Sequence, residues 1–266
     1  MSHTLRLSPC PNDTFAFYAL LHGTIDTEGE TFDTTFHDIE SLNTMILSQS
    51  GDIIKGSIAV LKEAESRGYS LLESGAALGR GNGPIVVRSP RMSEQNNTIT
   101  QTTAKTTAKT VALPGEYTTA ALLFKRYFPD YEPRYYIFNE IAGAVERGET
   151  DLGVLIHEGR FTYMESGLER VCDLGEKWES ETGLPLPLGG IYCKSTLDTT
   201  KFSRLIRRSI EWAFAHRAST LPFVRHHASE LSEEVMHHHI DYFVNEHSLT
   251  LGTEGTQAIE TLRQSI

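Results

Sequence analysis

The chain has little cysteine, no excess of basic charge and no long apolar run, and each shortage removes a class of protein. Its three cysteines, Cys10, Cys172 and Cys193, are an odd number at wide spacings. That fits neither a disulfide framework nor a thiolate zinc site, so free thiols are expected. A formal charge of −11 leaves no dominant basic surface for a phosphate backbone, which argues against nucleic acid as a partner. A small anion stays open as substrate, provided helix N-termini or a buried cation outweigh the long-range repulsion. The longest apolar stretches fall short of a bilayer, and the opening Met1-Ser2-His3-Thr4-Leu5-Arg6 lacks the basic start and apolar run of an export signal. No membrane partner is therefore expected, and a cytoplasmic location is. Nor is there a Gly-x-Gly-x-x-Gly or Walker spacing to hold a nucleotide.

What is present is an alternation of strand and helix signals. Leu5 to Ser8 reads as a strand broken by Pro9 and Pro11, with Asn12 and Asp13 as caps for a helix over Thr14 to His22 that stops at Gly23. Strands follow at Thr31 to Ile39, Ile53-Ile54, Tyr69 to Leu78 and Ile85 to Arg88, with helices at Ser41 to Ser50 and Ile58 to Arg67. Residues 91 to 110 are polar and repetitive, without periodicity, and read as a surface loop or linker. The alternation then restarts: strand Thr110 to Leu113, helix Thr118 to Phe128, strand Tyr135 to Phe138, helix Glu140 to Arg147 and the apolar strand Leu152 to Ile156. After a last strand at Gly190 to Cys193 the pattern is helical, over Phe202 to His216, Leu221 to His227, Ser232 to Asn245 and Thr256 to Gln264.

This order predicts an α/β protein of two lobes with parallel sheets and the ligand cleft between them. One lobe takes residues 1–89 and 190–266, the other residues 90–189. Oligomeric state is left between monomer and homodimer.

Ligands of such sheets collect beyond the carboxyl ends of the strands. Standing there are Ser8, Cys10, Asn12 and Asp13 after the first strand, Lys55 and Ser57 after the third, Thr118 and Thr119, and His157. Ser, Asn, Asp and Thr also cap helices, so those positions carry two readings. His157 is different: a strand apolar along its length ends in a group that ordinarily titrates near neutrality, a base to be oriented by Glu158 or by a residue of the other lobe. The alternative is a histidine satisfied by a backbone carbonyl. Thr118 and Thr119 open a helix suited to a substrate carboxylate, and Lys55 reads either as a charge partner or as a solvated surface lysine. Arg80, within Gly79-Arg80-Gly81-Asn82-Gly83-Pro84, sits in a hinge, a phosphate cradle or a turn. His237, His238 and His239 fan out by about 100° per residue on a helix and cannot converge on one ion. No metal is expected, and His239 is expected against the core between Val235 and Phe243.

Several of these segments resemble one family. Ser8-Pro9-Cys10-Pro11-Asn12-Asp13-Thr14-Phe15, Gly79-Arg80-Gly81, Pro114-Gly115 with Thr118-Thr119, Ile156-His157-Glu158-Gly159-Arg160-Phe161-Thr162-Tyr163 and Thr182-Gly183-Leu184-Pro185-Leu186-Pro187-Leu188-Gly189 together are similar to the 1,4-dihydroxy-6-naphthoate synthases of the futalosine route to menaquinone. The resemblance implies a periplasmic-binding-protein-like (type II) fold serving as a cytoplasmic lyase without a cofactor. It implies cleavage of cyclic dehypoxanthine futalosine with His157 as proton acceptor, and a substrate site lined by Lys55 to Ser57 and Thr118-Thr119. Two departures stand out: the polar insertion is longer than the family leads one to expect, and Gly56 removes a side chain from the expected pocket. Two other readings share the fold: a solute-binding protein for a small carboxylate, and a chorismate dehydratase-like enzyme.

Overall fold

Among the described residues eleven strands form two sheets, and the chain passes from the first sheet to the second and back. The computed structural model describes residues 1–81, 83–90, 109–157 and 159–266. The expected loop at 91 to 110 therefore lies, apart from its last two residues, outside the described residues, as does Glu158.

The first sheet begins with β1 (Ser2–Leu7), whose alternating burial sends Leu5 and Leu7 into the core. Pro11 opens α1 (Pro11–Leu21) after Cys10, a position where its missing N–H costs nothing. Next come β2 (Thr31–Phe36) and α2 (Ile39–Leu47), the helix capped by Asp38, which accepts from the N–H groups of Glu40 and Ser41. Then follow β3 (Ile53–Ser57), a 3-10 turn running into α3 (Leu61–Ser66), β4 (Tyr69–Leu71) and β5 (Ala77–Gly79). Tyr69 to Leu78 is thus two strands, not the single one expected. The break falls at Gly75, where φ is 89° and an added Cβ would stand 2.5 Å from Ile191 Cγ1.

β6 (Ile85–Arg88), β7 (Thr110–Leu113), β8 (Glu132–Tyr135), β9 (Leu152–Leu155) and β10 (Glu169–Asp173) make the second sheet, in the order β10-β6-β9-β7-β8. Its helices are α4 (Thr119–Tyr127), α5 (Ile141–Glu146), the short α6 (Gly159–Thr162) and α7 (Leu174–Thr182). β11 (Leu186–Lys194) then returns to the first sheet, whose path is β2-β1-β3-β11-β4 with β5 paired to β11. The C-terminal helices are α8 (Thr199–Ala215), α9 (Arg217–His227), α10 (Glu233–Phe243), α11 (Glu246–Leu249) and α12 (Gly252–Arg263).

Ile85–Arg88 pairs within the second sheet, and Leu186 to Gly189 within the first. The expectation of parallel sheets is corrected, because the sheets are mixed: β1, β2 and β3 run parallel, but β11 is antiparallel to β3, β4 and β5, and β6 is antiparallel to β9 and β10. A strand that delivers the chain from one sheet to the other enters without a crossover helix and so runs against its neighbours.

The two halves share one apolar core. A single cluster joins Leu42, Ile46 and Ile54 of the first half to Val86, Val111, Leu123, Phe124 and Trp178 of the second. α1, α8, α9 and α10 cover the far face of the first sheet, and α5 that of the second. Among the described residues no helix is long and apolar enough to cross a membrane.

Candidate active site

The strand ends of both sheets open onto one cavity. Ser8, Asn12, Asp13, Lys55 and Ser57 line it from the first half, and Thr118, Thr119, Ala120, Ile156 and His157 from the second. Ile39 and Ala77, Gly83 and Pro84 of one passage, Leu188 and Gly189 of β11, and Phe243 of α10 complete the wall.

At the first strand end the side chains form a buried charge network. Asp13 Oδ2 accepts from Ser8 Oγ at 2.7 Å, and its Oδ1 accepts from Asn12 Nδ2 at 2.9 Å and from Lys55 Nζ at 3.0 Å. The side chains of Lys55 and Asp13 are only 6% and 3% exposed. Lys55 also donates to the Gly75 carbonyl. The lysine is therefore already neutralised. Asp13, which the sequence places at the same strand end and also as a cap, is its partner.

Period-2 alternation along β3 accounts for Gly56. Lys55 and Ser57 face the cavity, while Gly56 faces the core, where an added Cβ would lie 2.3 Å from Ile46 Cδ1 and 3.1 Å from the Tyr192 ring. It is not part of the cavity wall.

Thr118 and Thr119 reach the site with their hydroxyls engaged. Thr118 is the N-cap of α4: its Oγ1 accepts from Ala121 N–H and donates to the Gly115 carbonyl. Thr119 Oγ1 donates to the Leu188 carbonyl at 2.8 Å, tying α4 to the first sheet. With Ala121 N–H taken by Thr118, the first-turn N–H groups of Thr119 and Ala120 are those of α4 without intrahelical partners, at the positive end of the helix dipole. Behind them the fully buried Asn43 donates to Ser57 Oγ and to the Tyr117 carbonyl and accepts from Ser57 N–H. Glu40 accepts from Tyr117 N–H, and burial raises its carboxyl above the usual range. Sequence spacing gave no sign of either residue.

Arg80 lies away from the cavity. Its guanidinium donates to the Gly183 carbonyl and to Glu254, linking the two passages between sheets. The glycine segment is thus a pinned crossing: Arg160 donates to the carbonyls of Gly81 and Gly83 and pairs with Asp173, and Gly83 packs backbone to backbone on Gly175.

His157 stands at the end of β9, on the cavity wall. Three elements meet its ring: Phe138 edge-on at 5.2 Å between centroids, His239 stacked at 5.9 Å, and Cys10, whose Sγ is 3.7 Å from Nδ1. Its φ of 51° is left-handed, a conformation few side chains adopt. His239, on α10, is 1% exposed, in line with the expected core position. Burial pushes its imidazole well below the usual range, and His157 and Lys55 act in the same direction.

Two α/β halves with strand ends and helix N-termini converging on a cleft define a periplasmic-binding-protein-like fold. The alkanesulfonate-binding protein of Xanthomonas axonopodis pv. citri shares it, with a TM-score of 0.63 at 11% identity over 91% of this chain and 84% of that one. Residues 4–266 match the family model described as menaquinone biosynthesis, and the chain belongs to that family. It is 40% identical to the 1,4-dihydroxy-6-naphtoate synthase of Thermus thermophilus over 97% of this chain and 91% of that protein. It is 39% identical to the enzyme of the same name from Streptomyces coelicolor, over 97% and 90%. A crystal structure of an Archaeoglobus fulgidus protein superposes with a TM-score of 0.88 at 30% identity, over 99% of this chain and 96% of that one.

Proposed function

We propose that this chain cleaves cyclic dehypoxanthine futalosine to 1,4-dihydroxy-6-naphthoate, releasing the sugar-derived fragment, as a cytoplasmic carbon–carbon lyase with His157 as its base. The reading rests on the position of His157, a titratable ring on the wall of a cleft that both halves line. The relatives named as naphthoate synthases supply the product.

In this reading His157 takes the proton of a hydroxyl on the sugar-derived carbon, the O–H electron pair becomes the carbonyl of the released fragment, and the carbon–carbon pair moves into the ring system. The protonated imidazole then gives its proton back to the ring-side product. Formation of the aromatic naphthalene makes the exit downhill. The reaction then asks for a placed base, orientation and exclusion of water. The first-turn N–H groups of α4 are the better-supported seat for the substrate carboxylate, because Lys55 is already paired with Asp13. Ile156, Leu188 and Phe243 offer apolar surface to the ring system.

The test is single-turnover conversion of the cyclic substrate by the parent chain and by His157→Ala, beside equilibrium binding of the product. Loss of about 10²- to 10⁴-fold in rate with product binding retained is expected. Parent-like turnover by the variant would take His157 out of the chemistry. A parent chain that binds the substrate but never converts it would sink the lyase reading and leave a solute-binding protein.

A further inference from the structure

Cys10, His157 and His239 bring a thiol and two imidazoles to one point from three separate elements. One donor atom from each, Sγ or a ring nitrogen, lies within 4.8 Å of the other two. The sulfur–nitrogen edge between Cys10 and His157 Nδ1 is 3.7 Å. A tetrahedral zinc with bonds of about 2.3 Å to sulfur and about 2.0–2.1 Å to nitrogen holds adjacent sulfur and nitrogen ligands about 3.5 Å apart. The edge is therefore already near the length a bound ion would give it.

His239 supplies the independent observation. It is 1% exposed, and among the described residues neither of its ring nitrogens has a hydrogen-bond partner. A buried imidazole without partners is uncommon and calls for an account. A ligand bond to one nitrogen provides it. The argument that His237, His238 and His239 cannot share an ion still holds, since only His239 of the three reaches this point. Sequence spacing is silent on Cys10 and His157, 147 residues apart.

We propose that Cys10, His157 and His239 form a three-ligand site for a thiophilic divalent cation, zinc being the fitting case, at the edge of the cavity. Binding converts the Cys10 thiol to a zinc-bound thiolate and releases its proton to solvent, while the imidazoles bind through neutral nitrogens. An occupied site engages His157 and so blocks the proton transfer assigned to it above. The binding itself is independent of that assignment and is tested without turnover.

The experiment titrates the full reduced chain anaerobically with Co²⁺, then displaces it with Zn²⁺, following the thiolate-to-cobalt charge-transfer band and the visible bands of tetrahedral cobalt. One equivalent should give both, Cys10→Ser should abolish the charge-transfer band, and Cys172→Ser should leave it intact. His239→Gln should weaken Co²⁺ binding by at least about tenfold, the scale on which disturbing a metal's surroundings is felt. Because that variant alters a buried position, a second measurement uses the unaltered chain: Zn²⁺ should slow alkylation of Cys10, read by peptide mass, and leave Cys172 unprotected. No charge-transfer band in the parent chain, its persistence in Cys10→Ser, or alkylation of Cys10 at the same rate with and without Zn²⁺ would each overturn the proposal.

Discussion

The Lys55–Asp13 pair sets a stability test whose size follows from its burial. Asp13→Asn keeps the shape but removes the charge, leaving the Lys55 ammonium buried with only neutral acceptors, the Gly75 carbonyl and the new amide oxygen. Removing one partner of a buried ion pair costs about 3–5 kcal/mol, because the survivor keeps its desolvation penalty. Lys55→Met strands the carboxylate instead, but Ser8 Oγ and Asn12 Nδ2 still donate to it. Its cost should fall at the lower end of that range. With both changes made, no charge is stranded, and the double variant should be more stable than the summed single effects imply by about 1–3 kcal/mol. Urea unfolding followed by tryptophan fluorescence reads all three, with Trp178 a fully buried reporter. Two single effects below about 1 kcal/mol that simply add would show that the pair is not coupled, and would remove it as the element that fixes the first strand end.

Two other predictions bear on placement and on pH. Gly56→Ala forces a methyl to within 2.3 Å of Ile46 Cδ1, an overpacking worth about 1–3 kcal/mol in thermal unfolding. Since the methyl points away from the cavity, KM for the substrate should not move, and a raised KM would place Gly56 in the site after all. Glu30 accepts from His3, the N-terminal amine and Lys201, which lower its carboxyl to about 2, the Lys201 bond contributing most. A depressed folded value means stability that is complete above the unfolded value of about 4.3 and is lost as pH falls toward 2. The melting temperatures of the parent and Glu30→Gln should therefore differ at pH 7 and converge across that interval. A gap unchanged down to pH 2 would contradict the assignment.

What the sequence disclosed followed local pattern. β7 and β9 are buried along their whole length and read as apolar runs, and α8 carries an apolar stripe wide enough to find. β8, exposed at every residue, is an edge strand held by its ladder to β7, so the apolar signal pulled its expected position to Tyr135–Phe138. β10 and α7 carried too little periodicity to be seen. The same division runs through the site. Position at a strand end was legible for His157, Lys55 and Thr118, but what each side chain touches was not. Asn43, Asp13 and Arg160 act across the molecule, through contacts between residues that sequence spacing does not relate.

The left-handed turn at His157 connects the fold to the reading of its chemistry. A non-glycine residue in that region costs about 1–3 kcal/mol and persists only where its surroundings over-determine it. Here β9 is clamped between β6 and β7, and immediately after the strand Gly159 N–H bonds to the Ile156 carbonyl at 3.1 Å to start α6. The turn falls at His157, where φ is 51°. A ring projected from such a turn cannot slide with its strand, and Phe138, Cys10 and His239 bound it from three directions. A binding protein needs only donors at the ends of its strands. In our reading, one titratable ring held rigidly among those donors, at the cost of local strain, turns the same cleft from holding an anion to breaking a bond in it.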